Sequence, residues 1–249
     1  MKKIQLSVFI LLLFSFISCD TDQKSIDEKI ETSQKVKTPE ITPNRYNVAF
    51  LIMDGVYNTE LTAPFDIFHH TIFRKNIKPM NVFTVANTHQ PVTTFEGIRL
   101  IPDFNYLKDK MPVWDILVIP SAEHHLDTDL EDSKMIEFVK TTAQNTQFVT
   151  SHCDGAFVLA KAGLLEGVES TTFPSDIDAM RKMFPDLTVH ENVLFVHDGK
   201  YITSAGGAKS FEASLYLCEL LYGKEVADQL AKGLVIDWDL ESVPKIIVQ

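Results

Sequence analysis

From Tyr46 onward the apolar positions follow two alternating patterns. Short β-branched runs, apolar at nearly every position, recur at Asn47–Met53, Asn81–Ala86, Ile116–Pro120 and Gln147–Ser151. Runs without a polar face suit strands covered on both sides, as in a parallel sheet. Between them the apolar residues fall at helical spacing over Leu61–Arg74, Glu131–Gln144, Ala156–Ala162 and Ser175–Phe184. Strand and helix in alternation predict an α/β fold, a parallel sheet with helices on both faces. Near the end, Val193–His197 and Tyr201–Ser204 flank Asp198-Gly199-Lys200, a hairpin-turn signal. Phe211, Leu215, Cys218 and Leu221 keep helical spacing, and Val226–Leu234 reads as another helix after Gly223. With no internal repeat and no second linker, residues 46–249 are expected to form one domain of about 200 residues, with the C-terminal hairpin and helices added to the sheet.

The chain before Tyr46 breaks this pattern. Met1-Lys2-Lys3 precedes an apolar run, Ile4–Ile17, and then Ser18-Cys19. Two lysines, a short apolar stretch and a small residue describe a secretory signal. The run is shorter than the roughly 20 residues a membrane-spanning helix requires. Phe16-Ile17-Ser18-Cys19 resembles the lipobox of bacterial lipoproteins. The resemblance implies loss of residues 1–18, diacylation of Cys19 and anchoring on a bilayer at the cell envelope. An ordinary signal peptide or an uncleaved anchor is the other reading of these residues. The polar, proline-dotted residues 19–45 then read as the lipidated cysteine followed by a flexible tether, with a short amphipathic helix around Ile26 and Ile30 as the alternative.

Composition narrows the partners. At 45% hydrophobic residues and a mean hydropathy of +0.01, the chain is neither wholly disordered nor fibrous. Lys and Arg number 23 against 34 Asp and Glu, a net charge of −11, with no basic stripe. That balance excludes nucleic acid as an expected partner and leaves a small-molecule substrate and, through Cys19, the lipid bilayer.

The candidate chemistry centres on Gln147-Phe-Val-Thr-Ser-His-Cys-Asp-Gly-Ala-Phe-Val-Leu-Ala160. A cysteine at a sharp strand-to-helix turn projects from the carboxyl end of the sheet, and Gly155 and Ala156 are small enough for the close approach such a turn needs. The helix N-terminus is expected to favour a thiolate and to hold a developing oxyanion. Cys153 as a buried small hydrophobe is the alternative.

The same segment, with Val48–Asp66, Glu96–Asp103, Trp114–Pro120, Ala160–Gly167 and Thr203–Gly207, resembles the ThiJ/PfpI superfamily. Within it, the likeness is to isonitrile hydratases and to the sensor domains of certain transcription regulators. The resemblance implies a flavodoxin-like fold with Cys153 as nucleophile, Glu60 as its proton partner and no cofactor or metal. It also suggests a homodimer. A hydratase of this type would turn an isonitrile into an N-substituted formamide, and a glyoxalase- or deglycase-like activity on an aldehyde is the neighbouring possibility.

Two positions depart from the family pattern. Asp154 stands where the hydratases have threonine, and its charge would raise the thiol pKa unless it is turned away or paired. Ser121-Ala122-Glu123 replaces a Gly-Gly that supplies oxyanion donors. Asp154, Ser121, Ala122, His124 and His152 are therefore the further candidates for the pocket or oxyanion site. His124 and His125 follow a strand at the carboxyl edge, as base or substrate contact or as a solvated loop. His152, next to Cys153 on a strand, should point to the opposite face. Cys218 lies on an apolar helix stripe and reads as core. A ligand-binding or redox-sensing module, in which Cys153 is oxidised without turnover, is the competing functional class.

Overall fold

The structure, a computed structural model, describes residues 39–248. The signal, Cys19 and most of the tether lie outside them. Eight strands form the main sheet: β1 Tyr46–Leu51, β2 Met80–Ala86, β3 Phe104–Asn105, β4 Ile116–Ile119, β5 Phe148–His152, β6 Phe195–Asp198, β7 Tyr201–Ser204 and β8 Lys245–Ile247. Their order is β8-β6-β7-β5-β4-β1-β2-β3. The pairs from β7 to β3 are all parallel, β6 runs antiparallel to β7, and β8 runs parallel to β6. The sheet is thus mostly parallel, and the Asp198-Gly199 turn adds the expected hairpin, with Gly199 at φ +60.

Six α-helices cover it among the described residues: α1 Asn58–His69, α2 Ser133–Asn145, α3 Gly155–Lys161, α4 Ile177–Met183, α5 Ser210–Tyr222 and α6 Lys224–Gly233. Strand periodicity divides the core in two. Val48, Phe50 and Ile52 of β1 and its end pack with Leu61, Ile67 and Phe68 of α1 and with Leu215 and Leu217 of α5. Ala49 and Leu51 face the other side, with Val139 of α2, Phe157 and Leu159 of α3 and Met180 of α4. No helix among the described residues is long and apolar enough to cross a membrane.

The boundaries differ from the sequence expectations where a capping group or a late strand takes over. The first helix begins at Asn58, three residues ahead of Leu61, which puts Glu60 in its first turn. The helix expected from Glu131 starts at Ser133, because the Asp132 carboxylate accepts from the Lys134 and Met135 amides. The short strands β3 and β8, at the two edges, carry too few residues for a period to register. Helix α1 and the elbow before α3 meet above the carboxyl ends of β1, β4, β5 and β7, where open parallel sheets bind ligands.

Candidate active site

Cys153 follows β5 directly and turns the backbone into the left-handed region, at φ +54. For a residue other than glycine this costs of order 1–3 kcal/mol, so the surroundings must enforce it. They do so from three sides. The Cys153 N–H donates to the Ser204 carbonyl at 2.9 Å. A Cβ on Gly206, itself at φ +76, would stand 2.3 Å from the Cys153 Cβ, and one on Gly155 would meet the Ile119 carbonyl at 2.1 Å. Two glycines thus allow β4, β5 and the loop after β7 to close around one sulfur, which leaves Cys153 only 6% exposed.

Two carboxyls meet there. The Cys153 thiol donates to Asp154 Oδ2 at 3.5 Å. The Thr172 hydroxyl is shared between Asp154 Oδ1, at 3.2 Å, and the Cys153 carbonyl, at 3.1 Å. Across the site Glu60 Oε1 accepts from the Gly207 amide at 2.9 Å, which ties α1 to the loop behind Cys153. Burial pushes the thiol pKa well above the usual cysteine range, and the charges of Asp154 and Glu60 add to it. The Ser121 hydroxyl and the Asp154 amide pull the other way without reversing the result. The resting sulfur is therefore a thiol. This differs from the expectation of a thiolate held by a helix terminus: burial dominates, Asp154 is not turned away, and the one amide that reaches the sulfur does not offset them. The Asp154 carboxyl is itself raised to about 6, first by burial, then by the charge of Asp176, against the hydrogen bonds from Cys153 and Thr172.

The remaining candidates separate. Ser121 is fully buried, and its hydroxyl stands close enough to Cys153 to favour the thiolate while making no full hydrogen bond among the described residues. Ala122 cannot serve as an oxyanion donor, because its amide already donates to His125 Nδ1 at 3.2 Å. That bond makes His125, fully buried and held neutral with its pKa lowered to about 3, a brace of the loop after β4. His124 is half exposed, with Asp127 at 3.3 Å and Glu123 at 3.9 Å as its partners, so it belongs to the solvated loop. His152 is also not brought to the sulfur. It is buried on the opposite face of β5, Nδ1 bonded to the Ser204 hydroxyl at 3.0 Å, and desolvation lowers its pKa to about 3. No three of the described His, Cys, Asp and Glu side chains stand together as a metal-ligand set.

Sequence reasoning left two contributors unassigned. Thr172 lies in a turn remote in sequence from the elbow, and nothing local marks it. Tyr57, the residue before α1, donates its amide to the Ser121 carbonyl at 3.0 Å, and its hydroxyl feels Cys153, Glu123, Asp154 and Glu60, which with burial raise its pKa. Its place three residues before Glu60 at a strand-to-helix junction is the signal that could have found it.

Comparison with known proteins agrees with the fold. An isonitrile hydratase from Pseudomonas putida is 28% identical over 180 residues, covering 72% of this chain and 74% of that one. Protein dj-1beta of Drosophila melanogaster is 25% identical over 158 residues, covering 63% and 83%. The crystal structure of a ThiJ/PfpI family protein from Pseudomonas syringae superposes with a TM-score of 0.69 at 22% identity, over 82% of this chain and 83% of that one. The sequence pattern of the DJ-1/PfpI family matches residues 46–220, from β1 through most of α5, and the chain belongs to that family.

Proposed function

We propose that this chain is a cysteine-dependent hydratase, hydrolase or lyase for a small electrophile, of the isonitrile hydratase-like type. Lipidated Cys19 holds it at the bacterial cell envelope in this reading. The observation that carries it is the Cys153 thiol, strained to φ +54 and donating to Asp154 while Glu60 stands opposite on Gly207. Asp154, with its pKa near 6, is ionised at neutral pH and takes the thiol proton as sulfur bonds to the terminal carbon of an isonitrile. That proton passes to the carbon by way of Glu60, which gives a thioimidate. Water adds across the C=N bond, hydroxyl to carbon and proton to nitrogen. Collapse breaks the C–S bond and releases the formamide. The hydroxyl proton passes to the departing sulfur, so every group is restored. Ser121 supplies a hydroxyl to the reacting centre.

The test is turnover of cyclohexyl isocyanide to its formamide, followed by mass spectrometry. The full chain is expected to form product and Cys153→Ala none. Equal rates in both would end the nucleophile reading. A second reading, a ligand-binding module without turnover, is favoured by the raised thiol pKa, which keeps the resting sulfur protonated and unreactive, whereas its redox-sensing form needs a thiolate. Stable oxidation of Cys153 by mild peroxide, without turnover of an isonitrile or an aldehyde, would select that redox-sensing form.

A further inference from the structure

The groups around the sulfur carry charge of one sign. Asp154 and Glu60 act on Cys153 directly, and Asp176 acts on Asp154. Glu123 stands beside Tyr57, because Val56 and Ala122 bridge antiparallel and the Tyr57 amide donates to the Ser121 carbonyl at 3.0 Å. Its backbone is held there by the Gly55 carbonyl, which accepts the Glu123 amide at 3.0 Å. Among the described residues no lysine, arginine or histidine forms an ion pair with Asp154, Glu60 or Asp176, and His124 stands 3.9 Å from Glu123. The buried His125 and His152 are held neutral. An aromatic pair stands beside the carboxyls. The Tyr57 and Phe95 rings lie 4.7 Å apart at 42°, with Phe95 52% exposed. The Tyr57 amide ties this pair to Ser121, whose buried, unpartnered hydroxyl faces the sulfur. Carboxylates in a partly desolvated recess attract cations and repel anions more strongly than in bulk water, and an open aromatic face adds a cation–π contact.

We infer that the Cys153 site takes small electrophiles carrying a positively charged nitrogen in preference to neutral ones and turns anionic ones away, with Glu123, Asp176, Tyr57 and Phe95 as the residues that set this choice. The inference rests on Cys153 being the nucleophile of the site. It separates the reacting centre, formed by Cys153, Asp154, Glu60 and Ser121, from a rim that reads substrate charge.

Three methanethiosulfonates test it on the full chain: the trimethylammonioethyl, methyl and sulfonatoethyl reagents. In each, sulfur of Cys153 attacks the thiosulfonate sulfur, a disulfide forms, methanesulfinate leaves and the thiol proton passes to solvent. Labelling is read by mass spectrometry on the Cys153 peptide, apart from Cys19 and Cys218, and each rate is divided by that of 2-mercaptoethanol. The cationic reagent is expected to react at least tenfold faster than the anionic one. Glu123→Gln with Asp176→Asn should cut that ratio severalfold, and Phe95→Leu should slow the cationic reagent alone. A ratio near one, or one indifferent to these substitutions while the neutral reagent reacts normally, overturns the charge preference and leaves the nucleophile reading standing. A Cys153 that none of the three labels overturns both.

Discussion

The two cysteines of the described domain are both buried, and burial raises the pKa of both thiols. Cys218 lies in the middle of α5 among Leu215, Leu217 and Tyr216, and burial alone acts on it. Cys153 adds a left-handed backbone, two carboxyls and a hydroxyl without a partner. Burial is thus common to a core residue and a candidate nucleophile. What separates them is strain and polar groups left unfinished, both of which cost stability and persist where a fold has a use for them.

The contrast can be broken most directly by removing each sulfur. Cys153→Ala is expected to lower isonitrile turnover by at least about a thousandfold, roughly 4 kcal/mol at the transition state, while thermal unfolding stays within a few degrees of the parent. Cys218→Ala should leave turnover unchanged, and a comparable loss in both variants would erase the distinction.

Strain at the elbow is next in size. Gly206→Ala places a methyl group within van der Waals exclusion of the Cys153 Cβ, and at φ +76 the new side chain is also strained. A loss of about 3 kcal/mol in urea unfolding is expected, together with loss of turnover. Gly199→Ala, at φ +60 but with open space around it, should cost about 1 kcal/mol and spare activity.

The carboxyl beside Cys153 gives the pH dependence. With Asp154 raised to about 6, kcat/KM should fall tenfold per unit below pH 6, and Asp154→Asn should abolish that limb. The stability sign is opposite to that of an ordinary ion-paired carboxylate. A folded pKa above the unfolded one means that the native state holds the extra proton, so this group's destabilisation is removed as pH falls through 6 toward 4. Asp154→Asn should therefore raise stability at pH 7.5 and change it little at pH 4. His125 and His152, whose folded pKa values are lowered to about 3, act in the other direction. They contribute stability that is present above about pH 6.5 and lost as acid protonates the unfolded chain, so His152→Gln should soften acid unfolding. The other thiol gives an effect near that of Gly199→Ala: Cys218→Ala, one sulfur removed from a packed face, should cost about 1–2 kcal/mol in the same urea assay.

Much of the fold was legible because its signals are local. Apolar runs marked β1, β2, β4 and β5, and helical spacing marked α1 to α6, while Asp198-Gly199 marked the hairpin. The site was legible in its two anchors, Cys153 at a strand-to-helix turn and Glu60 after the first strand. The sequence leaves open whether Asp154 raises the thiol pKa or turns away, and the fold decides it: Asp154 accepts a hydrogen bond from the thiol, with Thr172 on its other oxygen. The Ala122 amide, a candidate oxyanion donor, is taken by His125, a buried brace where the sequence left base, substrate contact and solvated loop open.

Sequence alone determined the alternating α/β architecture, the acidic balance and the turn that exposes one cysteine at the sheet's carboxyl edge. These follow from periodicity, composition and small residues next to one another in the chain. Only the tertiary structure decided what surrounds the sulfur. Glu60 meets Gly207 across 147 positions and Thr172 meets Cys153 across 19. The protonation of the thiol is set first by burial and then by the Asp154 and Glu60 charges, because desolvation and charge act over ångströms of space and take no account of distance along the chain.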